Sequence, residues 1–129
     1  MRALRIALDT TVTELDLPET GALSAIRDHI GATDAVDQGL YHRALLHIHG
    51  GGRAIGLAQN ITARALASAW RGMALFPTHG PVIVTGRAQG GEAAGLDDGL
   101  AQHAHAVAQT VRETLGSGAH GRPRPTRRP

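Results

Sequence analysis

Eight histidines and no cysteine in 129 residues set the terms of any chemistry this chain could do. His47 and His49 stand two apart in Ala44–His49, an apolar run that reads as a strand. Both imidazoles then fall on one strand face, as a pair of metal ligands requires. His42 lies nearby, and His79 precedes the run that begins at Pro81. A third ligand at a convincing spacing is lacking, for the chain has neither an H-E-x-x-H motif nor a downstream Glu at cupin-like distance. His103 and His105 sit about 200° apart around a helix and cannot chelate one ion together. A half-buried strand face is the stronger reading of His47 and His49. A small His-based metal-binding protein or enzyme is the alternative. Clustered imidazoles would also titrate between about pH 5 and 8.

Other reaction types are narrowed by composition. The 13 basic residues are all Arg, so a P-loop lysine, Schiff-base chemistry and a lysine base are excluded along with cysteine nucleophiles. His49-Gly50-Gly51-Gly52 matches an esterase oxyanion motif. No serine stands in a G-x-S-x-G elbow, however, and a glycine hairpin turn is the better account. Dinucleotide binding fails too, because Ile55 occupies the third glycine position of a fingerprint starting at Gly50. Glu14 and Asp16 alternate with Leu15 and Leu17, which places them on a solvated strand face. Asp97 or Asp98 suits a helix N-cap, and Asn60 or Thr62 another. No catalytic set is complete, and no cofactor is implied.

The elements that must carry these residues follow from periodicity. Leu4, Ile6 and Leu8 alternate with Arg5 and Asp9, and Thr13, Leu15 and Leu17 continue the pattern after a turn, giving a hairpin closed by Pro18. Leu23, Ile26 and Ile30 make an amphipathic helix capped by Thr20 and stopped by Gly31. Ala35–Tyr41, Ala44–His49 and Arg53–Leu57 read as three strands, the last two joined through Gly50–Gly52. Ile61–Trp70 reads as a helix stopped by Gly72. The β-branched run Pro81–Gly86 predicts a strand covered on both faces, and Gln89–Gly95 a loop. Leu100, Ala104, Val107, Val111 and Leu115 form one stripe on a last helix that ends at Gly116–Gly118. The expected class is α+β, with a mostly antiparallel sheet and about three helices in the order ββ-α-βββ-α-β-α. Tyr41, Trp70 and Phe76, the only aromatics, are expected to be buried anchors.

Leu, Ile, Val and Phe number only 28, and 22 residues are Ala, so the core is thin. Residues 1–116 carry nine Arg and eleven acids, whereas 117–129 carry four Arg and no acid. The expected division is therefore a domain over 1–116 and a disordered tail over 117–129. In that tail Arg122, Arg124, Arg127 and Arg128 could neutralise phosphates weakly and in a salt-sensitive way, which makes nucleic-acid contact a second alternative. No signal peptide or membrane-length apolar run is present, so the expected location is cytoplasmic, away from membranes.

Several segments together resemble an uncharacterised α+β family of short bacterial, plasmid and phage accessory proteins, a domain of unknown function. They are the opening strand Met1–Ile6, the helix ending Ile30-Gly31, the step Gly56-Leu57 before Asn60, and Gly80-Pro81-Val82-Ile83-Val84-Thr85-Gly86. The last of these is followed by a loop, Asp97-Asp98 and a helix, so the resemblance spans roughly 1–115. It implies the fold and a home on a mobile element, and no reaction. The functional expectation is a non-enzymatic accessory protein of mobile-element type (plasmid transfer, spread or maintenance) acting through protein contacts. Self-association is expected through the small-residue stripe Leu100, Ala104, Val107 and Val111.

Overall fold

The structure, a computed structural model, describes residues 1–31, 36–40, 43–49, 55–71 and 78–120, with side chains placed for all of these except 36–40, 71 and 116–120. His42, Tyr41, Phe76, the Gly50–Gly52 turn, the Gly72 stop and the four tail arginines lie outside the described residues.

The first hairpin pairs β1 (Arg2–Ile6) with β2 (Val12–Asp16), in a register running from Arg2 opposite Asp16 to Ile6 opposite Val12. Next come helix α1 (Ala22–Ile30), strands β3 (Val36–Leu40) and β4 (Ala44–His49), and helix α2 (Ile61–Arg71). The chain then forms β5 (Val82–Arg87), the two-residue β6 (Ala93–Ala94) and helix α3 (Asp98–His120). The sheet order is β2-β1-β5-β4-β3, antiparallel throughout, with β6 paired to the end of β5. The class is α+β, as the periodicities predict.

The sheet is sandwiched. Leu4, Ile6, Leu46, Ile48, Val82 and Val84 pack on one face with Ala63, Leu66 and Ala67 of α2 and Ala101 and Ala104 of α3. Ala3, Leu17 and Ile83 pack on the other face with Ile26 and Ile30 of α1. Val82, Ile83 and Val84 are all fully buried, which is why an unbroken aliphatic run rather than an alternating one was needed at β5.

Five details differ from the expectations. Residues 55–57 form a turn with Gly56 at φ +82°, so β4 finds its hairpin partner upstream in β3. The loop after β5 contains β6. Thr20 does not cap α1; Gly21 takes that place in a left-handed conformation, while Gly31 ends the helix as expected. Leu8 falls in the hairpin turn and Leu23 faces solvent, so neither joins the core. Helix α3 runs through Gly116 and Gly118 to His120, because a glycine weakens a helix by only about 1 kcal/mol and, unlike proline, keeps its N–H.

Candidate functional site

Histidine 47 sits on the α1 side of β4 and has no solvent exposure. Its Nε2 lies 2.9 Å from Thr85 Oγ1, and that hydroxyl donates to the carbonyl of Gly86 at 3.0 Å. With the hydroxyl proton committed, Nε2 of His47 must be the donor. Burial pushes the ring's pKa down to about 4. His49 shares the face of His47 and is half-buried. Among the described residues no group of three His, Asp or Glu side chains is placed to hold a metal ion. The strand therefore brings His47 and His49 to one side, as the spacing predicts, but gives His47 to the interior.

Glu14, Asp97 and Asp98 are engaged as well. Asp97 caps α3, its Oδ1 accepting from the Leu100 N–H at 2.8 Å and its Oδ2 receiving Arg43. Arg2 donates to both oxygens of Glu14, at 2.9 and 3.1 Å, and also to Asp98. That bond holds the Glu14 carboxyl below its usual range. Asn60 caps α2 through Oδ1 to the Ala63 N–H at 3.0 Å. Its amide also donates to the carbonyls of Ile6 and Gly80, at 3.0 and 3.1 Å, tying the helix start to β1 and the entry of β5.

The stripe expected to drive self-association is divided by the fold. Ala104 is buried in the molecule's own core, and Leu100 and Val107 pack against it. Ala104 therefore lets α3 approach the core closely, whereas Leu100 and Val107 stay partly buried beside it. Val111 remains half-buried, and Leu115, one turn on, is 46% exposed.

Beside Val111 the two helices leave a shallow groove of about 250 Å³, lined by Ala65 of α2 and by His103, Ala106, Val107, Thr110 and Val111 of α3. Near its rim Trp70 Nε1 donates to His103 Nδ1 at 2.9 Å. Trp70, expected to be a buried anchor, is half-buried: it packs against the core and bridges the two helices. This groove was not anticipated, although its signal was present: His103, Val107 and Val111 recur every four residues on α3, as do Ile61, Ala65 and Ala69 on α2. A second hollow, about 410 Å³, lies between Glu19–Leu23 and Gly91–Ala93, with Glu19 and Glu92 in its lining. No helix among the described residues is long and apolar enough to cross a membrane. Compared with protein-family models, curated proteins and solved structures, the chain finds no match.

Proposed function

We propose that the protein works by non-covalent contact with another protein, and that the α2–α3 face is the contact surface. One observation carries this reading. The apolar line of α3 outlasts the core that should cover it, passing from packed Val107 to half-buried Val111 and exposed Leu115. Across the groove Ala65 supplies the α2 side of the lining, and Ile61, one turn before it on α2, is 49% exposed. Contiguous apolar surface of this kind marks interaction sites. The groove is smaller than the roughly 300–1,000 Å³ of a small-molecule pocket. It suits aliphatic side chains from a helix laid along it.

The partner to test first is a second copy of this chain, since the apolar line of α3 runs past the core to half-buried Val111 and exposed Leu115. Sedimentation equilibrium at micromolar concentration should show a dimer for the wild type and a monomer for Val111→Glu. A monomeric wild type would remove the groove as a self-contact. The cellular role we infer is that of a mobile-element accessory protein serving plasmid transfer, spread or maintenance. Its support is the resemblance carried by Gly80–Gly86 and by the Gly56-Leu57 step before Asn60. Neighbouring genes for transfer, replication or phage assembly would agree with this role, and a purely metabolic neighbourhood would contradict it.

A further inference from the structure

We propose that Trp70 and His103 form a proton-operated link between α2 and α3. The indole nitrogen can only donate. With 2.9 Å between Trp70 Nε1 and His103 Nδ1, the imidazole must therefore present a lone pair at Nδ1 and carry its proton on Nε2. The ring centroids are 6.4 Å apart and tilted by 43°. A second proton on His103 would set N–H against N–H. The hydrogen bond cannot survive that change.

The groups around His103 do not compensate. One turn away on α3, positions 99, 100, 106 and 107 are Gly, Leu, Ala and Val. Asp98 is engaged by Arg2, and His105 lies about 200° round the helix. From α2, Trp70 bonds to His103 and Ala65 faces it across the groove; the charged residues of that helix are Arg64, which is exposed, and Arg71. Among the described residues His103 has no ion-pair partner. Deeper in the interface, Ala63, Leu66 and Ala67 meet Ala101 and Ala104 with no titratable group between them, so the helices stay packed. Only the Trp70–His103 bond is broken, and the groove gains a positive charge on its wall. The link belongs to the helix pair itself and stands whatever docks in the groove.

Trp70 is the sole tryptophan, so all tryptophan emission comes from the ring that makes this contact. Imidazolium quenches an excited indole by accepting an electron. Wild-type emission should therefore fall reversibly as the pH is lowered from 8 to 5, while far-UV circular dichroism stays constant. His103→Gln keeps an oxygen acceptor for the indole but takes up no proton, so its emission should be flat over the same range. His105→Gln should retain the wild-type profile. A flat wild-type trace, a fall that persists in His103→Gln, or a parallel loss of circular dichroism would each overturn the proposal.

Discussion

A histidine held neutral inside a protein makes stability depend on pH, and the sign follows from where the ring takes its proton. Unfolded, His47 protonates near pH 6.5; folded, burial delays this until about pH 4. Between those values the unfolded chain binds more protons, so stability falls as pH falls through the window and levels off below it. The difference amounts to about 3 kcal/mol. Urea unfolding at pH 7 and pH 4 should show a loss of that order in the wild type, and His47→Gln should lose most of the slope. Asn60 is the other residue whose loss is felt at several places. Asn60→Ala removes a helix cap and leaves the carbonyls of Ile6 and Gly80 without their amide donor. A loss of about 2 to 4 kcal/mol is expected in denaturant unfolding, and Asn60→Asp should not restore it, because a carboxylate cannot donate.

Among the elements, the junction of β5 and β6 leaves the least freedom. A Cβ at Gly86 would stand 2.2 Å from the backbone oxygen of Gly95, where no side-chain rotation can relieve the overlap. Gly86→Ala should destabilise by about 2 to 3 kcal/mol, with faster amide exchange in β6 as its local mark. The β1–β2 turn is tied from outside instead. Thr10 adopts a left-handed φ of +74°, and Arg112 of α3 donates to its hydroxyl at 3.2 Å and its carbonyl at 3.0 Å. The last turns of α3 are thereby anchored to a hairpin far away in sequence. That anchorage helps explain why the helix persists beyond the residues its own core can cover.

On the scale of the whole molecule, one sheet separates two apolar clusters. Leu66 belongs to the α2–α3 side and Ile26 to the α1 side, with no shared cluster members. Leu66→Ala should cost about 2 to 5 kcal/mol and Ile26→Val about 0.5 to 1.5 kcal/mol. The double variant should equal their sum within about 0.5 kcal/mol, since distant sites without common partners add. A coupling well above that would mean the sheet transmits packing strain from one face to the other. The thin, alanine-rich composition is consistent with this plan: small residues at 63, 67, 101 and 104 let α2 and α3 lie close over β4 and β5, where bulkier ones would hold them off.

Local patterns in the chain settled what depends on neighbours a few residues away. The β-branched run at 82–84 announced a strand covered on both sides, Asp97 or Asp98 a helix cap, Asn60 or Thr62 a helix start, and Gly31 a helix stop, and the structure uses Asp97 and Asn60. These follow from side-chain period and backbone preference, which act within a turn or a strand. Tertiary structure decided everything that needs a partner distant along the chain. Period two put His47 and His49 on one face, but only the placement of α1 and Thr85 made His47 an interior group. Glycine-turn chemistry offered residues 53–57 as the mate of β4, whereas β4 pairs with its upstream neighbour β3 and, across a long stretch of chain, with β5. The α3 stripe was legible as apolar from its spacing alone. Which of its residues fill the core and which lie open in the groove was set by where the sheet ends, a length fixed by strands far from α3 in sequence.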